Sequence, residues 1–358
     1  MADDPELALL LAAARSVFHA DGPPIEDMAG RPIDWGRFLQ LARFHRIEGL
    51  VWRGFGQANS PLSADVADGL RGRAQRIAAA NLAMARESER LRAAFDQAGI
   101  DLLFIKGATL AQLAYGDLGA KAATDIDVLI APAAIGEGAR IIGELGFRPV
   151  IPDRSSALRQ WHSMRKESLW LQDSTGIALD LHTRLAESPD VIPQLWRPDG
   201  IRLVQLGRSI VLPTLNRDEL ATYLAVHGVS SAWFRLKWIV DFAALLEREH
   251  RGRVGELRSA MRSLGAQWAG DQALLLADQL FGSLADEPAL RSVVADRWPV
   301  RWANSIALAY LRRGKEPTER IGGTLGQHIA QLLLLESTAP RLRELARKAR
   351  MLANRAPA

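Results

Sequence analysis

The 358-residue sequence predicts an α+β fold, with helices at both ends of the chain and a short strand-rich stretch between them. Three observations carry that prediction. Helical segments fill residues 1–98 and resume after residue 213, with apolar residues near a helical period in the clearest of them. Short apolar runs bounded by Gly, Pro and Asp gather between residues 99 and 212. The hydrophobic share of 48% is enough for a sizeable core. The chain therefore divides into an N-terminal helical region (1–98), a core (99–212) and a C-terminal helical domain (213–358).

The first region reads as three main helices. Glu6 to His19 is one, and Trp35 to Phe55 is a second, with Phe38, Leu41, Ile47 and Val51 near helical spacing. Ser63 to Ala98 is a third, with Ser63 as its expected N-cap, Gly99 as its stop and Glu89 one turn from Arg92.

Leu102 to Ile105 then reads as a buried strand that Lys106 and Gly107 terminate, and a helix is expected from Ala108 to Tyr115. Asp125-Ile126-Asp127 leads into a second apolar run, Val128 to Ile130. Side chains alternate along a strand, so both aspartates face one way. Two neighbouring carboxylates repel each other unless one is protonated or a cation sits between them. Mg2+ binds through one or two carboxylates plus substrate phosphates. Pro132 opens a helix that continues from Glu137 to Leu145 and stops at Gly146, and Phe147 to Ile151 follows as a strand. Glu167 to Gln172 and Ile177 to His182 flank Asp173-Ser174-Thr175-Gly176, a hairpin whose second strand sets Asp180 and His182 on one face.

Lys106-Gly107, Tyr115, Lys121, Asp125, Asp127 and the later Asp180-Leu181-His182 together resemble the nucleotidyltransferase superfamily, the polymerase-beta-like fold. The variant is similar to the "uncharacterised nucleotidyltransferase" family, with K-G, a Tyr, then R-x-x-x-D-h-D. Lys121 stands where that family usually shows Arg; it keeps the charge without the planar fork. The resemblance implies a small mixed nucleotidyltransferase sheet. It implies Asp125, Asp127 and Asp180 as catalytic metal ligands, with Asp180 also drawing a proton from the acceptor. It implies Mg2+ as cofactor, as two ions in the two-metal scheme, with Mn2+ as a substitute. Lys106, Gly107, Lys121, His182, His227 and Lys237 are the nucleotide-binding candidates. Asp127→Asn is then expected to abolish turnover with little change in thermal stability.

In the C-terminal region Asn216 caps a helix with Glu219 at the capping-box position, and His227-Gly228 ends it. Trp233 to Glu249 is the next helix, in which Lys237 either reaches a phosphate or pairs with Asp241. Gln272 to Phe281, Trp302 to Leu311 and Gln327 to Glu336 read as amphipathic helices. Arg341 to Arg355 is a basic helix expected to dock by its stripe of Leu342, Leu345, Ala349 and Leu352.

Composition narrows the function classes. With no cysteine the chain has neither disulfides nor thiolate metal sites, which agrees with a cytoplasmic location. Abundant Ala, and Arg in excess of Lys, suit a GC-rich bacterium. No uncharged apolar run has the length of a membrane span. A net charge of +4 is a mild excess that demands no nucleic-acid partner. The expected function is transfer of a nucleoside monophosphate from a nucleoside triphosphate, ATP first, to an unidentified acceptor hydroxyl or phosphate with release of pyrophosphate, the acceptor being a small molecule or peptide, with nucleic acid less favoured. The alternative is a non-catalytic nucleotide- or partner-binding protein on the same scaffold.

Overall fold

The computed structural model describes residues 4–19, 25–58, 62–188, 191–193, 200–316, 323–333 and 335–353. The N-terminal helices are α1 (Pro5–Ser16), α2 (Ile25–Ala29), α3 (Trp35–His45), α4 (Glu48–Ala58) and α5 (Ala64–Gln97). The middle holds β1 (Leu103–Phe104), α6 (Ala108–Tyr115), β2 (Asp125–Leu129), α7 (Ile135–Glu144), β3 (Phe147–Ile151), α8 (Leu158–Met164), β4 (Glu167–Gln172), β5 (Ala178–His182), β6 (Arg202–Leu206) and β7 (Ile210–Thr214). The C-terminal helices are α9 (Arg217–Ser230), α10 (Leu236–His250), α11 (Val254–Ser263), α12 (Gln267–Phe281), α13 (Pro288–Asp296), α14 (Trp298–Arg313), α15 (Leu325–Leu333) and α16 (Thr338–Ala353). The fold is α+β, and none of the described helices is long and apolar enough to cross a membrane.

Five strands form one mixed sheet in the order β1-β2-β5-β4-β3. β2 and β5 are parallel; the other neighbours are antiparallel. Ile126, Val128, Leu179, Leu181 and Trp170 share one face and are buried, as apolar residues at every second position should be. Gln172 on that face donates to Glu87 of α5 (3.0 Å), which locates α5 behind the sheet. The opposite face carries Asp125, Asp127, Asp180, His182 and Glu167, because paired residues on adjacent strands present their side chains to the same side. β6 and β7 form a separate hairpin that the sequence reading did not anticipate.

Several helix expectations are corrected. Trp35–Phe55 is two helices, since Arg46 adopts a left-handed conformation (φ 57°) and Ile47 turns into the core. Ser63 makes no side-chain cap bond, so α5 starts without one. The helix capped by Asn216, whose Oδ1 accepts from Glu219 N at 2.9 Å, continues past His227 to Ser230. The next helix begins at Leu236, not Trp233, because Trp233 is fully buried in a left-handed turn (φ 52°) against Gly228. The Glu89–Arg92 pair is present at 2.9 Å.

The terminal helix is also corrected. In α16 Glu344 is buried, while Leu342 and Leu345 are 64% and 48% exposed. Arg347, held by Glu344 one turn before it on the same helix (2.7 Å), reaches across to Glu187 (3.3 Å), while Leu342 and Leu345 stay in water. The side chain of Leu352 and the expected helix end at Arg355 lie outside the described residues.

Candidate functional site

The site begins at the turn after β1. Gly107 has φ +67° and ψ −127°, a region L side chains rarely adopt, and it caps α6. Thr109 Oγ1 donates to Phe104 O and Lys106 O, both at 3.1 Å, which fixes the turn. Lys106 is thereby aimed across the strands, and its Nζ lies 2.7 Å from Asp127 Oδ1. Burial works against the ammonium, but Asp127, Tyr223 and Asp125 outweigh it and hold Lys106 well above its ordinary value.

The loop from Asp117 to Thr124 is pinned by Asn81 of α5. Its Nδ2 donates to Lys121 O (2.7 Å), and its Oδ1 accepts from Ala123 N (3.0 Å). Lys121 pairs with Asp241 of α10, which also accepts from Tyr115 Oη at 2.8 Å. Of the two alternatives for Lys237, the pair with Asp241 is absent: Asp241 is already engaged, and Lys237 instead lies over the Trp238 ring, 5.3 Å from its centroid.

The carboxylates come together through the parallel register, which sets Asp127 directly beside Asp180. Oxygens of Asp127 and Asp180 and a ring nitrogen of His182 all lie within 4.8 Å of one another. Asp180 is pushed up to about 8, first by burial, then by Asp127, Glu167 and Asp125. Burial and Asp127 also raise Asp125. Burial works to raise Asp127, but Lys106 and His182 override it and hold that carboxyl well below its ordinary value. His182 is fully buried, and burial with Lys166 nearby keeps its imidazole neutral at pH 7. Its Nε2 is 3.3 Å from Asp127 Oδ1, and its Nδ1 is 3.4 Å from Glu167 Oε2 without an aligned hydrogen bond.

One cleft of about 210 Å3 gathers these groups. Of the nine residues singled out from the sequence, Lys106, Gly107, Lys121, Asp125, Asp127, Asp180, His227 and Lys237 line it. His182 does not; it stands behind Asp127. His227 is kept neutral, first by burial and then by Lys106 and Lys166, and packs edge-on to Trp238.

Two charged lining residues escaped the sequence reading. Glu167 sits opposite His182 at the start of β4, where a lone acid opening a hairpin strand carries no distinguishing signal. Arg46 enters from the break between α3 and α4, which helical periodicity alone does not reveal. Lys237 is lowered to about 7, first by burial and then by Lys121, Arg46 and Lys106.

The cleft thus holds two crowded sets of like charge. Carboxylates lie along β2, β5 and β4. Cations come from the α3–α4 break, the loop before β2 and α10. The carboxylate set fits a divalent cation: it offers hard oxygen donors on one face, and Lys106 alone leaves Asp180 short of counter-charge.

Residues 31–282 match the family described as "Uncharacterised nucleotidyltransferase", well over half of the chain. No curated protein matches the chain. No solved structure matches it.

Proposed function

The chain belongs to the uncharacterised nucleotidyltransferase family, and on that footing we propose that it is a Mg2+-dependent enzyme moving a nucleoside monophosphate from a nucleoside triphosphate to a small-molecule or peptide acceptor. The observation that carries this reading is the pairing of two strained charge sets in one cleft, Asp180 held up at about 8 and Lys237 held down at about 7. A metal–triphosphate complex relieves both, since its cation answers the carboxylates and its phosphates answer Lys237, Lys121 and Arg46.

Asp125, Asp127 and Asp180 would hold the metal, with Mn2+ as a substitute. When bound, the metal supplies charge neutralisation at the attacking and leaving oxygens. His182 orients Asp127. The left-handed backbone at Gly107, with no side chain on it, leaves room for the triphosphate near the turn. Without metal Asp180 is mostly protonated at pH 7; once ionised beside the cation, its carboxylate would take the proton of an acceptor hydroxyl. As that oxygen bonds to the α-phosphorus, the bond from phosphorus to the bridging oxygen breaks, and pyrophosphate leaves with the electron pair. Catalysis of this kind is mostly positioning and electrostatics.

Calorimetry with ATP, with and without Mg2+, followed by an assay for pyrophosphate release in cell extract, tests the reading. Metal-dependent binding and release support it. Binding indifferent to metal, with no release, would favour the non-catalytic scaffold, which the Lys106–Asp127 pair at 2.7 Å also suits.

A further inference from the structure

A second cavity, of about 290 Å3, lies on the other side of α9 from the catalytic cleft. The two share a wall. Leu224 and His227 line the cleft, whereas Val226, Val229 and Ser230, on the same helix, line the cavity. At the start of β4, Glu167 faces the cleft, its neighbour Lys166 faces the cavity, and the two side chains are ion-paired across the boundary.

The sheet order gives the cleft a direction. Lys106 follows β1 and Lys121 precedes β2, at one end of the row β1-β2-β5-β4. Glu167, on β4, is at the other end. Phosphates held by the lysines would leave the β4 side of the cleft for the second reactant, and the cavity borders that side through Arg165 and Lys166, which lead into β4.

The lining defines a ligand class. Val226, Val229, Ala266 and Ala269 make a buried apolar floor. The rim carries Arg165, Lys166, Arg347 and Lys348 against Glu187 and Glu344. Arg165 stacks on Trp161, 5.7 Å from the ring centroid, and has no carboxylate partner among the described residues. The inverted seating of α16 has a reason here: Glu344, Arg347 and Lys348 all face the cavity, so the polar side of the helix is the cavity's wall.

We infer that this cavity is the acceptor subsite, taking a small molecule with an apolar body and an anionic group, carboxylate or phosphate, whose nucleophilic oxygen is presented past the Lys166–Glu167 pair to the cleft. The inference rests on the transfer reading above. A volume near the lower end of small-molecule pockets, on the order of 300 Å3, suits such an acceptor better than a polymer.

The test uses the full chain and 8-anilinonaphthalene-1-sulfonate, a rigid apolar body with one anionic group. Fluorescence titration should give one saturable site per chain, weakened at least tenfold by Arg165→Ala and by Ala269→Phe, which fills the floor. Both variants should keep the wild-type circular dichroism spectrum and ATP–Mg2+ affinity. Pyrophosphate release driven by the small-molecule fraction of a cell extract should be suppressed by the probe, competitively with that fraction and not with ATP, and lost in Ala269→Phe. Probe binding untouched by both variants while ATP–Mg2+ still binds overturns the subsite alone. So does turnover driven only by a macromolecular fraction. Absence of ATP–Mg2+ binding in the wild type overturns the transfer reading, and the acceptor role falls with it.

Discussion

Asp127→Asn separates the ion pair of the cleft from its metal chemistry. Asp127 and Lys106 are 2.7 Å apart, with side chains 2% and 18% exposed. At an effective dielectric of about 20 their attraction is about 6 kcal/mol, and leaving one member of a buried pair without its partner costs about 3–5 kcal/mol. Relief of repulsion offsets little of this at pH 7, because Asp180, at about 8, is mostly protonated there. Lys106 also feels Asp125, which moderates the loss. The expected destabilisation is about 2–4 kcal/mol, or roughly 4–8 °C in melting temperature at about 2 °C per kcal/mol for a chain of this length. This replaces the sequence-based expectation of little change. Saturating ATP–Mg2+, at about 100 times its dissociation constant, should add about 2.7 kcal/mol to the wild type and nothing to the variant. Thermal melts with and without ATP–Mg2+, together with pyrophosphate release, read both effects. An unchanged melting temperature in metal-free buffer would refute the ion pair. A retained ATP–Mg2+ shift or retained turnover would refute the metal role.

Asp241→Asn strips Lys121 of its counter-charge while leaving an acceptor for Tyr115. It should lower stability by about 2–3 kcal/mol in urea unfolding, and an unchanged midpoint would contradict it. Lys237 should couple nucleotide binding to pH: with a free-protein value of about 7, it must take up a proton to meet phosphate above that pH. ATP affinity in calorimetry should therefore fall between pH 7.5 and 9, by at most about tenfold per unit, and Lys237→Met should flatten the profile. Gly228→Ala would set a Cβ 2.2 Å from the buried Trp233 ring. A loss of about 3 kcal/mol is expected, and a melting temperature within a degree of wild type would show that the ring gives way.

The sheet and the acidic face were legible because strand period is strict: D-x-D and D-L-H each put two polar groups on one face, and the parallel register then aligns Asp127 with Asp180. What joins the elements was less legible. Lys237 and Asp241 have the right helical spacing, yet Asp241 takes Lys121, 120 positions away in the chain, and no local pattern encodes that. Arg46 reaches the cleft only because one residue leaves helical geometry. The α16 leucines misled because an apolar stripe tells which face avoids water only when the alternative face has nothing polar to meet. Here it meets Glu187 and the cavity.

The Lys106–Asp127 contact has a bearing on the order in which the molecule assembles. β1 and β2 are close in sequence and pair antiparallel, so this contact is available as soon as β2 has been synthesised, whereas Asp180 arrives only with β5. In that order of assembly Lys106 would stand in for a cation, sparing the forming sheet the mutual repulsion of its acids before any ion is captured. Lys106→Met should refold slowly at pH 8.5 and be rescued by millimolar Mg2+; refolding as fast as wild type without the ion would dismiss that role.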